Sequence, residues 1–285
     1  MIELVKKLIV EQFPQYSDLK ISEVEKQGRD NRTYRLGNDM LVRIPSGPDY
    51  APQVLREQSL LPKLAPHLSV SIPTPIAIGR ESKDYPDPFS IYKWLPGQSI
   101  NLLTLTDQEK EQLAYDLAKF LKELQRITNI PHILPGNGKR GDHVSVYDEG
   151  AREQIGILKG IIDYDSAIEL WEKACANTWQ YDPVWIHGDL AVGNILMEDG
   201  KLSAVIDFGC TAIGDLACDL VIAWTYLSGK SREIFINEMN LDYDTWLRAR
   251  GWALWKATFE LCQIKDKDSD AGKEQIKIIF DVMNL

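Results

Sequence analysis

The spacing of apolar residues changes character along the chain. From Met1 to Phe13 (MIELVKKLIVEQF) they recur at helical spacing with Glu3 and Glu11 between them, which predicts an amphipathic helix. From about Lys20 to Pro45 the pattern alternates with a period of two. It is broken by Gly28-Arg29-Asp30-Asn31 and by Gly37-Asn38-Asp39, predicting three antiparallel strands. In the third, MLVRIP, alternation puts Val42 and Ile44 on one face and Leu41 and Arg43 on the other. Val54 to Leu64 returns to helical spacing, with Pro62 expected to end or kink that helix near its C-terminus. Two proline-punctuated extended segments follow, Ile72 to Gly79 and Phe89 to Leu95, and the turn Pro96-Gly97 marks the expected domain boundary.

Beyond it the period is mainly helical. Asp107 to Ile127 carries Leu113, Leu117, Phe120, Leu121 and Leu124 on one face and starts at Thr106/Asp107. A Gly-rich interruption, Pro135 to Asp142, precedes helices around Arg152 to Trp179, and helices resume from Asp215 to the end. One β element stands out in this half, WIHGDLAVGNILMEDGKLSAVIDFG from Trp185 to Gly209. Its apolar runs NILM and LSAVI flank the turn dipeptide Asp199-Gly200 and read as a hairpin. His187, Asp189 and Asn194 sit at one end, and the hairpin is expected to return Asp207 to that end.

Composition narrows the function classes. The 285 residues are 44% hydrophobic and 26% charged, with mean hydropathy −0.24, as in a soluble globular protein. A net charge of −10 argues against a general electrostatic grip on nucleic acid or an anionic membrane and suits cationic ligands. Cys175, Cys210, Cys218 and Cys262 show no C-x-x-C spacing and the four histidines stand alone, which points to a reduced, cytoplasmic protein without structural zinc. The first helix lacks a cleavage site, and no apolar run reaches membrane-spanning length.

The hairpin carries the chemistry. Magnesium is usually held by one or two oxygen-bearing side chains plus nucleotide phosphates, a pair that Asn194 and Asp207 can provide. Asp189 then remains as a carboxylate free of the metal, a division of labour that suits phosphoryl transfer. HGDLAVGN followed by IDFG resembles the catalytic and metal motifs of the aminoglycoside phosphotransferase family, which usually shows HGDLHPGN. Ala191 and Val192 depart from that pattern. The resemblance implies an α+β, two-lobed, protein-kinase-like fold, with an antiparallel sheet in a nucleotide-binding lobe (1–97) and a helical lobe (98–285) carrying the catalytic and acceptor sites. The nucleotide and magnesium are expected between the two. It implies that Asp189 is catalytic, that Asn194 and Asp207 bind Mg2+, that His187 supports the loop, and that Asp219 of GDLACDL is the buried aspartate steadying it.

The same resemblance extends into the first half. Arg43 stands where the family usually has lysine, with Glu57 as its expected partner and Gln58 as the nearest polar competitor. Arginine is wider, planar and forked, so it either binds phosphate or chiefly anchors Glu57. Gly28 to Asn31 falls where the family covers the nucleotide, although it is not a G-x-G-x-x-G. Tyr92 precedes the linker Lys93-Trp94-Leu95, whose backbone is expected to bond the base. A bulky residue at Tyr92 leaves both ATP and GTP open as donors. Only Cys210 to Gly214 separates Gly209 from the next helix start, leaving little room for a peptide platform, so a small hydroxyl compound is the expected acceptor. Family and acidic charge point to an aminoglycoside or related antibiotic, a cationic acceptor. A metabolic kinase of the choline, homoserine or methylthioribose type is the competitor, and a nucleotide-binding pseudokinase is disfavoured because Asp189, Asn194 and Asp207 are all present.

Overall fold

A computed structural model describes residues 1–25, 27–28, 30–130 and 140–284. The chain divides into two compact units, one of Met1–Gln98 with Ser203–Gly209, the other of Ser99–Leu202 with Cys210–Leu285. The part of the Gly28–Asn31 turn at Arg29, and residues 135–139 of the Gly-rich interruption, lie outside the described residues.

The first unit opens with helix α1 (Ile2–Gln12) and carries five strands: β1 (Ile21–Glu23), β2 (Asn31–Leu36), β3 (Met40–Pro45), β4 (Pro75–Gly79) and β5 (Phe89–Lys93). They form one antiparallel sheet in the order β1-β2-β3-β5-β4. The alternation read from MLVRIP holds. Val42 and Ile44 are buried with Val5, Leu8 and Ile9 of α1 and with Tyr34, Leu36, Phe89 and Ile91, while Arg43 faces the other way. Each such aliphatic or aromatic side chain contributes about 1.5–3 kcal/mol on burial. Gly79 admits no side chain, because a Cβ there would lie 2.1 Å from the Phe89 ring. Helix α2 (Ala51–Leu64) ends just past Pro62, at the residue where the helical spacing stops. The proline sits in the last turn, so only one intrahelical hydrogen bond is forgone before the helix stops.

The second unit is built on α3 (Asp107–Gln125), α4 (Asp148–Ile157), α5 (Tyr164–Ala176), α6 (Ile222–Thr225), α7 (Gly229–Met239), α8 (Tyr243–Gln263) and α9 (Asp270–Met283). The Thr106 side chain accepts from the Glu109 amide and Glu109 reaches back to the Thr106 amide, a capping box that sets the start of α3. Helix α3 packs on α7, and α8 packs on α5 and α9. A strand pair absent from the sequence reading joins β6 (Val184–Ile186) to β9 (Ala212–Gly214), with Trp185 opposite Ile213. Strands of three residues are too short to show a period. Between them β7 (Ile195–Glu198) and β8 (Lys201–Val205) form the predicted hairpin, turning at Asp199 (φ 50°) and Gly200 (φ 73°). Two consecutive positive φ values are the signature of a type I′ turn, which Asp-Gly favours.

Candidate active site

In the first unit, Arg43 is central to an ionic cluster. On β3 it stands opposite Thr33 and Ser90. One guanidinium nitrogen lies 3.0 Å from both Glu57 carboxylate oxygens, and the other is ion-paired with Asp207. With its oxygen turned toward Arg43, the Asn31 carboxamide accepts at 3.0 and 3.3 Å. The Tyr92 hydroxyl donates to Glu57 Oε2 at 2.6 Å, so Glu57 is gripped from two sides. Glu57 is buried, whereas Gln58 donates instead to the Ala77 carbonyl at 3.1 Å. Burial opposes the Arg43 charge, but the carboxylates of Glu57 and Asp207 outweigh it and raise the guanidinium above its ordinary pKa. Burial, and then Glu57, raise the Tyr92 phenol as well.

Asp207 adopts φ 69°, a left-handed conformation rare outside glycine, which marks a locally strained backbone where IDFG leaves β8. Two residues on, a Cβ at Gly209 would come within 2.7 Å of the Gln53 side-chain oxygen. The linker spends two of its amides inside the protein: Lys93 donates to the Thr74 carbonyl at 2.9 Å and Trp94 to the Asp39 carbonyl at 2.7 Å. On β2, Arg35 bonds the carbonyls of Gly37 and Asn38 and stacks 3.6 Å over the Trp94 ring.

In the second unit, Asp189 sits in a loop held mainly through backbone. The buried Asp219 carboxylate accepts from the amides of His187 and Gly188, both at 2.7 Å. Its pKa is raised by burial, against the lowering by His187 and by these amides. The Asp189 amide donates to His187 Nδ1 at 3.2 Å, so the buried histidine orients the loop. Gly188 has φ 84°, and a Cβ there would lie 2.5 Å from the Cys210 carbonyl, which leaves no room for a side chain. Ala191 and Val192 do not disrupt the turn, which closes with Ala191 N–H on the Asp189 carbonyl and Asn194 N–H on the Ala191 carbonyl, both at 2.8 Å. The Asn194 amide nitrogen donates to the Asp189 carbonyl at 2.9 Å and faces its Oδ2 at 3.4 Å. That use of the nitrogen leaves the carboxamide oxygen as the metal-type donor.

The structure therefore gathers Arg43, Glu57, Tyr92 and Asp207 within one unit, and Asp189 and Asn194 within the other. The donors proposed for magnesium, a carboxamide oxygen and a carboxylate, are hard oxygen ligands of the kind this ion takes alongside nucleotide phosphates. Sequence reasoning missed Asn31 as a partner of Arg43 and missed Lys256, whose ammonium lies 3.5 Å from Asp189 Oδ1. Lys256 and Asp189 are 67 positions apart, and nothing in local spacing links them.

An ionic cluster joining a strand arginine, a helix glutamate and the IDFG aspartate, with a buried aspartate bracing an HGD loop, describes a phosphotransferase. The chain belongs to the phosphotransferase enzyme family, whose profile matches residues 21–252. A 90-residue stretch is 31% identical to aminoglycoside 3′-phosphotransferase of Escherichia coli. It spans 27% of this chain and 32% of that protein, so the match covers about a third of the relative's length. Among solved structures, the GDP and kanamycin complex of APH(2")-IIIa superposes with TM-score 0.75 at 23% identity, covering 98% of this chain and 97% of that one. Macrolide 2′-phosphotransferase MphH from Brachybacterium faecium superposes with TM-score 0.60 at 20% identity, covering 97% and 98%. These likenesses show the kinase-like α+β fold, with its antiparallel sheet in the N-terminal region and helical C-terminal portion.

Proposed function

We propose that this phosphotransferase moves the γ-phosphate of ATP or GTP to a hydroxyl of an aminoglycoside or related antibiotic, with magnesium as cofactor. The observation that carries this reading is the Arg43–Glu57–Asp207 cluster, which ties a phosphate-binding cation to a metal-type carboxylate. The acceptor oxygen bonds to the γ-phosphorus as the β,γ-bridging bond breaks and the nucleoside diphosphate leaves with its electron pair. The hydroxyl proton passes to Asp189. Arg43 holds phosphate oxygens, and Glu57 and Asn31 keep its fork in register. Asn194 and Asp207 would each offer magnesium an oxygen donor, and the ion would supply charge neutralisation on the triphosphate.

The acceptor class is supported by solved neighbours described with kanamycin, streptomycin and gentamicin, and by the macrolide phosphotransferases beside them. For the donor, neighbours are described with GDP, ADP and ATP. Tyr92, buried and tethered to Glu57, supports a restricted base pocket, in which the linker carbonyls and the Leu95 amide contact the base. No helix among the described residues is long and apolar enough to cross a membrane.

The test is acceptor-dependent phosphorylation by the purified chain with Mg2+ and ATP or GTP, across kanamycin, erythromycin, chloramphenicol and choline. Phosphorylation of an antibiotic, lost in Asp189→Asn, is the expected result. Turnover confined to choline would move the enzyme to metabolic chemistry, and nucleotide binding without transfer to any acceptor would leave the pseudokinase.

A further inference from the structure

Beside Asp189 lies a pocket in the second unit lined by Arg140, Gly188, Leu190, Cys218, Val221, Trp252, Trp255 and Lys256. Its charges are the opposite of what a polycation requires. Lys256 on α8 places its ammonium 3.5 Å from Asp189 Oδ1. Arg140 donates to the Tyr147 hydroxyl at 3.0 Å and lies over the aromatic rings, 4.6 Å from the centre of Trp255 and 5.4 Å from that of Trp252. Two cations thus face one carboxylate among the lining side chains. Hydrogen-bonding capacity points the same way. Ammonium, guanidinium and indole N–H only donate. The Trp252 indole N–H is buried with no partner among the described residues. An acceptor rich in ammonium groups would bring donors to donors and charge to like charge, whereas an oxygen-bearing molecule with a flat or apolar body satisfies the donors and suits the apolar lining that includes Leu190 and Val221.

We propose that this pocket selects a hydroxyl acceptor of low positive charge bearing an apolar or aromatic ring, and that Lys256 and Arg140 exclude polycationic acceptors. The proposal rests on the reading of Asp189 as the group that receives the acceptor hydroxyl, and it narrows the antibiotic class away from the cationic acceptor that the net charge of −10 suggests. Net charge is a property of the whole surface, while selection is made by the few groups that touch the ligand.

The experiment compares kcat/KM for chloramphenicol (uncharged, aryl), erythromycin (a single amine on a large apolar ring) and kanamycin (polycationic), in wild type, Lys256→Glu and Arg140→Glu. The expected result is at least a tenfold preference of wild type for chloramphenicol or erythromycin over kanamycin. Each charge reversal should shift that ratio at least tenfold toward kanamycin. Because a ratio is read, a uniform loss of turnover in the variants does not mask the effect. Calorimetric titration of the same three compounds into the nucleotide-free protein ranks binding independently of turnover. A wild-type preference for kanamycin, equal or tighter kanamycin binding, failure of chloramphenicol and erythromycin to bind, or ratios unmoved by both variants would overturn the proposal. Persistent turnover in Asp189→Asn would instead overturn the catalytic reading beneath it, a distinct outcome.

Discussion

The two clusters described here are held by different physics. Arg43, Glu57 and Asp207 are bound by side-chain charge, each neutralising another at the cost of desolvation, with Tyr92 and Asn31 satisfying what remains. The Asp189 loop is bound by main chain, with the amides of His187 and Gly188 on a single buried carboxylate, Asp219. Charge pairs of the first kind can exchange partners when a phosphate arrives. A backbone-to-carboxylate clamp cannot exchange without unfolding the loop. The contrast suits the first region to the proposed binding of a changing ligand charge and the second to holding the Asp189 carboxylate in a constant place.

The sharpest way to break this comparison is at the carboxylates themselves. Asp189→Ala should reduce kcat by roughly 10²–10⁴-fold, the range for a positioned acid–base group, with nucleotide affinity retained in equilibrium binding. Normal turnover would remove Asp189 from the chemistry. Asp219→Ala should act on stability instead, orphaning two buried amides at about 1–3 kcal/mol each. A lowered urea midpoint would show it, and a midpoint equal to wild type would mean that the clamp is dispensable.

Within the ionic cluster, effects should be smaller and coupled. Arg43→Lys keeps the charge but loses the fork that spans Glu57 and Asp207, so partial activity is expected, below wild type and above Arg43→Ala. In a double-mutant cycle of Arg43→Ala and Glu57→Ala on kcat/KM, non-additivity of about 0.5–3 kcal/mol should appear. Strict additivity would show that the two side chains act separately.

The smallest effect expected is at Asp148, a half-exposed carboxylate outside both clusters. The Trp171 indole N–H, at 2.7 Å, and the Arg152 guanidinium hold it below the ordinary carboxylate range. A depressed folded pKa means that its stabilisation is complete above the unfolded value, about 3.9, and is lost as pH falls through the folded one. Asp148→Asn should therefore flatten the acid limb of a stability–pH curve and leave neutral activity unchanged. An unaltered acid limb would show that the indole contact does not matter in solution.

How much was legible in advance follows the range of the interactions. Strand alternation predicted that Arg43 turns away from the core, because alternation is a property of local backbone geometry, whereas Glu57 was expected as its partner only through the family resemblance, with Gln58 as competitor. The β6–β9 pair escaped notice because three-residue strands carry no period. The Tyr92–Glu57 hydrogen bond joins residues 35 positions apart, and no spacing rule predicts it.

By itself, the sequence determined the chemistry available: a loop with Asp189 and Asn194, a hairpin turned by Asp199-Gly200, an IDFG aspartate, and an arginine where lysine is usual. These are local, since motif spacing and backbone preference act over a few residues. Only the tertiary structure decided what those groups face: Asn31 and Tyr92 within the ionic cluster, and Lys256 and Arg140 beside Asp189. Electrostatic fields and hydrogen bonds act through space over a few ångströms, so the partners that tune a site, and the charge it offers a ligand, are set by which distant segments the packed core brings together.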